Sequence, residues 1–589
     1  MAIQCPGPID GTLRGRPNMN DYKIGRVVGV SGERIFISLL DHSDGGDTEE
    51  GVPPTMIVNL PSDTGPTPLL IGQPGTFVSV GLPSGRLLGM ITTIDMKESA
   101  PLQTEIRNAE AEGNAIIEEH KRVVSAVPVG TLDAAGIFER GADVLPTVNS
   151  SAFAVPPATI DSIYRQYADG NFSLGHLSLI PEQQANINLD AFLSRHGAIL
   201  GQTGGGKSWT VASFLQKIAA FPQSTVVLFD LHGEYASAFG DEADVISGAD
   251  IELPYWLMNS EELLGLMVDR SESAAPNQIA KFKELLQAAK DSHPENQALG
   301  LDRITIDTPV YFDFAEILNE FRRLDTQMVD GANNRLKQGP LFGQFTRLLM
   351  RVDSRLNDRR YDLIFHPQTY ATSASMEDLF RRLLGANSAA RKKIVIIDLS
   401  PVPFDVRNSV ISLILRCLFD FAYWYRRVNR TSYPIAVFAD EAHIYLNDSD
   451  SDARSSRESA ERIAKEGRKY GISLTVISQR PREVSATILS QCNSFLCLRL
   501  SNPDDQSYVR NLLPDSVRGI TSMFSTLRRG EGILLGDSVM MPTRIRIDAP
   551  CPTPHSDDTS FYATWNEDPE EIDVASVLDA WRRQAVTGA

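Results

Sequence analysis

The chain has no uninterrupted apolar run of the length that a bilayer-spanning helix requires, which is about 20 residues. Its best candidate, Ser409–Tyr425, is interrupted by Arg416 and Asp420 and has the length of a buried helix. The first ten residues, MAIQCPGPID, show neither the basic nor the apolar stretch of a secretory signal peptide. These absences predict a cytoplasmic protein that is not inserted in a membrane.

Cysteine is also scarce, and its five positions are scattered: Cys5, Cys417, Cys492, Cys497 and Cys551. Cys492 and Cys497 lack the second pair that a zinc site needs, and the odd total does not fit a disulfide framework. We therefore expect reduced thiols in the core, as is usual in the cytosol.

Positive charge is in deficit, because 56 Lys and Arg stand against 75 Asp and Glu, which gives a net charge of −19. A protein that simply coats nucleic acid carries a basic face and a high pI. The overall charge therefore argues against DNA binding over the whole surface. An acidic chain can still bind DNA where its basic side chains are confined to a groove or to the lumen of a ring.

What is present is the composition of a globular protein, with 42% apolar and 22% charged residues. At about 150 residues per domain, the length predicts three or four domains. Short β segments separated by Gly and Pro in 22–98, with a helical pattern in 103–122, predict a small β-barrel with a helical insertion. From residue 172, apolar runs alternate with helical patterns, which is typical of a covered, mostly parallel sheet. The predicted strands are 197–200, 225–230, 393–399, 435–440, 473–478, 494–500 and 532–535.

A phosphate-binding loop follows the first of these strands. Residues 201–208, GQTGGGKS, match G-x-x-x-x-G-K-[ST] at every fixed position and precede a helical pattern. Glycines let backbone N–H groups wrap a phosphate, Lys207 is expected to reach the β- and γ-phosphates, and Ser208 to ligate Mg²⁺. ATP and Mg²⁺ are therefore the expected cofactors. The predicted nucleotide-binding residues are Gly201, Gln202, Thr203, Gly204, Gly205, Gly206, Lys207, Ser208 and Trp209.

Two adjacent carboxylates end the apolar run 435–439. Asp440 is predicted to hold Mg²⁺ together with Ser208, and Glu441 to polarise the attacking water as a general base. A GTPase is disfavoured, because the sequence has no Asn-Lys-x-Asp motif for reading guanine.

Residues 440–443 also spell Asp-Glu-Ala-His, the motif of a class of two-lobed helicases. That class places the motif much closer to its P-loop, and too few residues follow Thr487 for a second motor lobe. A single lobe has to obtain its trans-acting groups from a neighbouring subunit. The spacing therefore predicts a ring.

The ordered series of motifs resembles the HerA branch of the HerA/FtsK ATPases over most of the chain. The matching segments are Arg195–Ser208, Asp230–Tyr235, Leu253–Leu257, Asp440–His443, Glu466–Gly471, Ser478–Pro481 and Asn502–Gln506. The resemblance implies a homohexamer with ATP sites at subunit boundaries that pumps double-stranded DNA through a central pore. It also implies the fold class: α/β, a RecA-like P-loop ATPase core with an N-terminal small β-barrel (HAS-barrel-like) and an inserted helical subdomain.

The resemblance assigns roles to Glu441 and to three further positions. Glu441 matches the catalytic glutamate, and Gln479 matches the polar sensor of the γ-phosphate. Arg468 matches an arginine finger acting in trans, and Arg195 an arginine near the nucleotide. A separate basic stripe, Arg347, Arg351 and Arg355, falls on one helical face; it suits either DNA phosphates in a pore or a solvated, salt-bridged surface.

On this basis six segments are predicted. They are 1–21 (N-terminal tail), 22–171 (β-barrel domain with helical insertion), 172–259 (ATPase core, first part), 260–390 (helical insertion), 391–550 (ATPase core, second part) and 551–589 (acidic C-terminal tail or brace).

The family resemblance also implies a partner enzyme. The sequence shows neither a nuclease carboxylate cluster nor a Rossmann fingerprint, so a nuclease or a sirtuin-type NADase docked on the barrel would supply such an activity. Antiphage defence and DNA-end processing are the two expected settings. The alternative is an ATP-regulated oligomeric scaffold that assembles and activates an effector with little DNA translocation. A secretion or conjugation pump is disfavoured by the missing membrane segments.

Overall fold

The computed structural model describes residues 23–40, 57–60, 67–98, 120–165, 171–248, 251–330, 336–386, 391–555, 561–567 and 572–583. The chain divides into two compact units, 1–554 and 555–589. The predicted N-terminal tail, 1–21, lies outside the described residues. The domain boundaries that we place within the first unit stay predictions.

The strands, numbered along the chain, are β1 (Lys23–Val30), β2 (Ile35–Leu39), β3 (Ile57–Leu60), β4 (Thr67–Leu70), β5 (Phe77–Leu82), β6 (Gly85–Glu98), β7 (His120–Asp133), β8 (Phe138–Arg140), β9 (Ser151–Ala154), β10 (Asn171–Leu177), β11 (Ile180–Asn188), β12 (Gly197–Leu200), β13 (Val226–Asp230), β14 (Ala243–Ser247), β15 (Met328–Asp330), β16 (Leu336–Gln338), β17 (Ile394–Asp398), β18 (Ile435–Ala439), β19 (Ile472–Ser478), β20 (Ser494–Cys497), β21 (Glu531–Gly536) and β22 (Thr543–Ile547).

The α-helices are α1 (Pro157–Arg165), α2 (Leu189–Ser194), α3 (Lys207–Ala219), α4 (Ala236–Phe239), α5 (Ser260–Met267), α6 (Ala275–Ser292), α7 (Pro294–Ala298), α8 (Phe314–Asp325), α9 (Thr346–Leu356), α10 (Asp362–Phe365), α11 (Met376–Leu383), α12 (Phe404–Asn429), α13 (Arg454–Glu466), α14 (Ala486–Gln491), α15 (Pro503–Leu512), α16 (Phe561–Trp565) and α17 (Val574–Arg583).

The amino-terminal part of the first unit is a closed barrel, as predicted. Among the described residues, neighbouring strands follow the order β2–β1–β9–β5–β6–β7, and pairing of β2 with β7 closes the ring. Alternate side chains such as Val27, Ile37 and Val124 are fully buried in its interior, as expected for half-buried antiparallel strands.

The helix predicted for 103–122 is wrong at its carboxyl end and untested elsewhere. Residues 103–119 lie outside the described part of the chain. Residues 120–122 belong to β7, where the backbone of His120 pairs with Glu98 of β6. The ladder between these two long strands overrides the local helical pattern, because strand pairing is decided by partners distant in sequence.

The ATPase core is built on one large twisted sheet, which confirms the predicted α/β class. Over the described residues its strand order is β11–β10–β22–β21–β20–β12–β19–β18–β13–β17–β14. The strands from β20 to β14 are parallel, and those of the other flank are antiparallel. β12 and β18 are buried along their whole length, since helices cover both faces of a parallel sheet. The predicted strand 532–535 lies in β21 but runs antiparallel, a direction that an apolar run does not encode.

The helices α5–α11 and the small hairpin β15–β16 lie between β14 and β17 along the chain. Two arginines of the stripe on α9 are engaged inside this region. Arg351 pairs with Glu272 at 2.7 Å and donates to the carbonyl of Met267, and Arg355 lies over the ring of Tyr361. These contacts favour the salt-bridged interpretation of the stripe.

The segment Ser409–Tyr425 lies within α12, a 26-residue helix with a largely buried apolar face. Over the described part of the chain, no helix combines the length and the apolar character needed to cross a membrane.

Candidate nucleotide-binding site

The predicted phosphate loop connects β12 to α3 at the carboxyl edge of the parallel sheet. Its backbone is tied to the neighbouring strands: the amide of Gly201 donates to the carbonyl of Ser478 (3.1 Å) and the amide of Gln202 to that of Arg499 (2.9 Å). Gly204 and Gly206 have φ angles of 73° and 93°, a region that glycine enters without strain. The loop therefore has the fixed, inward-wrapping backbone that a phosphate cradle requires.

Lys207, the first residue of α3, points at the end of β18. Its ammonium nitrogen lies 3.6 Å from Oε1 of Glu441, and both side chains are about nine-tenths buried. The structure thus brings together the predicted phosphate-binding lysine and the predicted general base.

Asp440 is a buried carboxylate with one oxygen left unsatisfied. The hydroxyl of Tyr235 donates to Oδ2 at 3.0 Å, whereas Oδ1 is buried without a hydrogen-bond partner in the described residues. Burial, with the negative charges of Glu441 and Asp230, raises the pKa of Asp440 to about 8. A free carboxylate oxygen in so dry a place fits a divalent cation, which is a hard acid that prefers oxygen ligands.

Glu441 adopts a strained backbone conformation, with a φ of 45°. A non-glycine residue in this region costs about 1–3 kcal/mol, and such residues cluster at functional sites. Its Oε2 lies 3.3 Å from Nδ1 of His443, another buried side chain. In this conformation the carboxylate lies beside Lys207 of the P-loop.

Ser208 is held by Glu234, a residue without a predicted role. Its hydroxyl donates to Oε2 of Glu234 at 2.6 Å. Glu234 lies in the turn after β13, and the carboxylate of Asp230 caps that turn by accepting from the amides of Gly233 (2.9 Å) and Tyr235 (3.0 Å). Asp230–Tyr235 was recognisable only as a family segment. One feature of the sequence could have marked this segment as functional. It has two carboxylates, Asp230 at the end of the strand next to β18 and Glu234 in the turn after it.

Gln479 follows β19 and meets the P-loop directly. The hydroxyl of Thr203 donates to its Oε1. Because Leu200 pairs with Ser478 in parallel register, Gln479 begins its loop beside Gly201. This is where a side chain sensing the terminal phosphate has to lie.

The two predicted arginines lie at the opposite edge of the sheet. Arg195 caps the end of α2 just before β12, and Arg468 lies in the 3₁₀ turn Gly467–Lys469 just before β19. Both strands run away from these arginines and towards the P-loop. Within one subunit, therefore, the structure does not bring Arg195 or Arg468 to the nucleotide.

The two arginines differ in their surroundings. The guanidinium of Arg195 forms an ion pair with Asp537. Arg468 is exposed beside an apolar cleft that includes Phe221 and Pro434. Its guanidinium takes part in none of the ion pairs and side-chain hydrogen bonds found among the described residues.

Trp209, the last of the predicted nucleotide-binding residues, is 36% exposed and borders a cleft that continues from the loop. Five of the predicted site residues thus converge at one edge of the sheet: Lys207, Ser208, Asp440, Glu441 and Gln479. Their donor set fits a nucleoside triphosphate with Mg²⁺.

Comparison with known proteins shows that this chain is similar to the helicase HerA. A family model described as the central domain of helicase HerA matches residues 172–418. The DNA double-strand break repair helicase HerA of Saccharolobus solfataricus is 26% identical over 485 residues, covering 80% of this chain and 87% of the relative. The protein of the same name from Pyrococcus furiosus is 26% identical over 421 residues, covering 66% of this chain and 72% of the relative.

Among solved structures, VirB4 of Thermoanaerobacter pseudethanolicus matches with a TM-score of 0.42 at 16% identity, over 65% of this chain and 97% of that chain. That likeness is too distant to bear on individual residues.

Proposed function

We propose that this chain, a HerA-like P-loop ATPase of the helicase type, is one subunit of a homohexameric ring that translocates double-stranded DNA. The similar proteins named as DNA double-strand break repair helicases support DNA as the substrate of the motor. Binding without sequence preference is expected.

Within the ring, each subunit supplies one side of an ATP site. Lys207 and the loop from Gly201 bind the phosphates, Ser208 and Asp440 hold Mg²⁺, Glu441 activates water, and Gln479 senses the γ-phosphate. Arg468, and near it Arg195, act on the nucleotide of the neighbouring subunit. A guanidinium placed across an interface stabilises the charge on the transferring phosphoryl group and couples hydrolysis to ring geometry.

One observation supports assembly into a ring: the two arginines lie at the edge of the sheet opposite the P-loop. The strands between the two edges, with their flanking turns, separate Arg468 from Lys207 by more than the reach of a side chain. Arg468 of this subunit therefore reaches a nucleotide only if that nucleotide belongs to another subunit.

Mixed rings test the trans site. Lys207→Ala subunits lack the P-loop lysine, and Arg468→Ala subunits lack the finger, so each variant alone is expected to be inactive. Mixed in equal amounts, they form some interfaces with one intact P-loop and one intact arginine, and turnover is expected to reappear. If the mixture stays as inactive as either variant alone, Arg468 does not act in trans.

Substrate and assembly are tested on the wild-type protein. We expect a mass in solution of a six-subunit ring, with an ATPase rate that rises when linear double-stranded DNA is added. A ring whose ATPase is indifferent to DNA would instead support the alternative, an ATP-regulated scaffold for an effector enzyme. That alternative draws support from the net charge of −19.

We further propose that an effector such as a nuclease or a sirtuin-type NADase docks on the N-terminal barrel and that the complex works in antiphage defence or in DNA-end processing. The absence of nuclease and Rossmann motifs from the sequence supports a division of labour between motor and effector. Co-purification of the effector with the full chain, and its loss when the exposed side chains of the barrel are changed, would test the docking site.

A further inference from the structure

A cleft of about 570 Å³ continues from the phosphate loop. The loop cradles the phosphates so that the α-phosphate lies nearest the residues after Ser208. The nucleoside of a bound nucleotide therefore has to leave the loop past Trp209 and Thr210. Gly206, Trp209 and Thr210 form one wall of the cleft, and Arg529, Asp548 and His176 stand in the other.

Trp209 and Arg529 face each other across this cleft. The guanidinium carbon of Arg529 lies 6.0 Å from the centre of the indole ring. The indole is 36% exposed, although most of the other apolar side chains of α3 are buried. Exposed aromatic faces accompanied by arginine are what proteins use to stack nucleobases.

Arg529 has no acidic partner in the ion pairs of the described residues, although the chain as a whole is acidic. Its side chain starts beside the phosphate loop, since a Cβ atom on Gly206 would lie 3.9 Å from Cγ of Arg529 and 3.4 Å from the amide nitrogen of Gly530. The guanidinium is therefore available to a ligand at the mouth of the phosphate cradle.

The far wall of the cleft is fixed by an ion-pair network. Lys217 of α3 forms an ion pair with Asp548 at 2.6 Å and donates to the carbonyl of Ser173 at 2.9 Å. Nδ1 of His176 lies 3.2 Å from the same carboxylate. The network anchors the chain after β22 to α3 and balances the charge of Asp548, so the wall does not repel an anionic ligand.

We propose that this cleft binds the nucleoside of the nucleotide, with the base stacked on Trp209 and the guanidinium of Arg529 closing over it. The inference rests on the proposed function and extends it to base recognition. Stacking grows with the area of the ring system, so the cleft selects purine over pyrimidine nucleotides.

Calorimetric titration of the full-chain protein with Mg²⁺ and ADP, CDP or inorganic pyrophosphate tests this. These ligands share a diphosphate, lack a γ-phosphate to hydrolyse and differ in the base. We expect wild type to prefer ADP to CDP. We expect Trp209→Ala to lower the affinity for ADP about tenfold, within the range that loss of base–aromatic stacking gives. The affinity for pyrophosphate is expected to stay unchanged.

Two further variants complete the test. Trp209→Phe keeps an aromatic face and is expected to retain most of the ADP affinity. Trp424→Ala removes a more exposed indole (60% exposed) from α12 and is expected to leave the affinities for ADP and pyrophosphate unchanged. If Trp209→Ala binds ADP as tightly as wild type does, or if it loses as much affinity for pyrophosphate as for ADP, the cleft is not the nucleoside site. A wild-type protein that binds neither ADP nor pyrophosphate contradicts the proposed ATPase itself.

Discussion

Lys207 and Glu441 form a buried ion pair, with Nζ and Oε1 3.6 Å apart and both side chains about nine-tenths buried. A buried charge needs a partner of opposite charge, and Lys207 and Glu441 are such partners for each other. In the mechanism proposed above, a triphosphate that binds Lys207 takes over this role and frees the carboxylate of Glu441 for water. The pair therefore links arrival of the nucleotide to activation of the base.

Glu441→Gln is expected to slow hydrolysis without weakening binding. The amide cannot accept a proton from water, and general-base catalysis contributes about 10²–10⁴-fold. Lys207 loses its competing carboxylate, so ATP is expected to bind at least as tightly as to wild type. Phosphate release and equilibrium binding of ATP measure the two effects. Glu242→Gln, at an exposed glutamate in the turn after α4, is the control, and wild-type turnover in Glu441→Gln would remove this residue from the mechanism.

Glu234→Gln is expected to raise the Mg²⁺ concentration needed for nucleotide binding. Glu234 bonds to the Ser208 hydroxyl at 2.6 Å, so its charge lies beside the predicted metal. Loss of a carboxylate that supports a metal ligand costs about 10–100-fold in metal affinity. Titration of ADP binding against Mg²⁺ measures the shift, with binding in EDTA as the reference. An unchanged Mg²⁺ requirement would limit Glu234 to holding the empty loop, and Glu242→Gln is again the matched control.

Asp440→Asn is expected to stabilise the nucleotide-free protein while abolishing Mg²⁺-dependent turnover. The pKa of Asp440 is raised to about 8 from an ordinary value of 3.8, so the folded state holds its proton more tightly than the unfolded chain does. The stability that Asp440 contributes therefore falls as pH rises from about 4 to about 8. Asparagine does not titrate, and a gain of about 1–3 kcal/mol is expected at pH 8.

Thermal unfolding of Asp440→Asn and wild type, both without nucleotide, checks this sign. The difference in melting temperature is expected to grow from pH 5 to pH 8. A variant that is less stable than wild type at every pH would show that the hydrogen bond from Tyr235 outweighs the buried charge.

Lys290→Met is expected to loosen the helical region around α6. The fully buried ammonium of Lys290 donates to the carbonyls of Ile306 and Thr308, each at 2.8 Å. Methionine has similar length but no donor, and each carbonyl left unpaired costs about 1–3 kcal/mol. Limited proteolysis of the loop between α7 and α8 detects the change. Lys283→Met, at a more exposed lysine of the same helix, is the control, and equal resistance of both variants would contradict this role.

The stability that Lys290 contributes is also expected to depend on pH, in a direction set by its pKa. Burial lowers the pKa of Lys290 to about 8 from 10.5, so between these values the unfolded chain holds the proton and the folded chain does not. Its contribution to stability therefore rises with pH across this window. The loss of stability in Lys290→Met, measured by thermal unfolding, should be larger at pH 10 than at pH 7.5.

Features set by spacing along the chain were predictable from the sequence. The P-loop, the carboxylates after β18 and the strand at 197–200 each depend on a few consecutive residues whose chemistry is local. The contact between Ser208 and Glu234 is different, because it exists only once β13 and β12 are placed in the same sheet. Sequence motifs named Arg195 and Arg468 but left open which edge of the sheet each would occupy. That edge follows from strand direction.

Charge patterns proved weaker guides than motifs. The stripe Arg347, Arg351 and Arg355 has helical spacing, yet Arg351 and Arg355 are occupied by Glu272 and Tyr361. A spacing rule reports which side chains share a face, but it does not report what lies opposite that face.

The closure of the barrel has a consequence for molecular recognition. Pairing of β2 with β7 gives each of the six described strands of the ring a neighbour on both sides and leaves the three-residue β8 as the end strand of this sheet, so the ring itself offers another protein no end strand to extend with a strand of its own. Whatever binds there has to read side-chain shape and loop conformation. Such a surface can change its partner by substituting exposed residues while the hydrogen-bonded frame beneath stays the same, and it resists the edge-to-edge aggregation to which open sheets are prone.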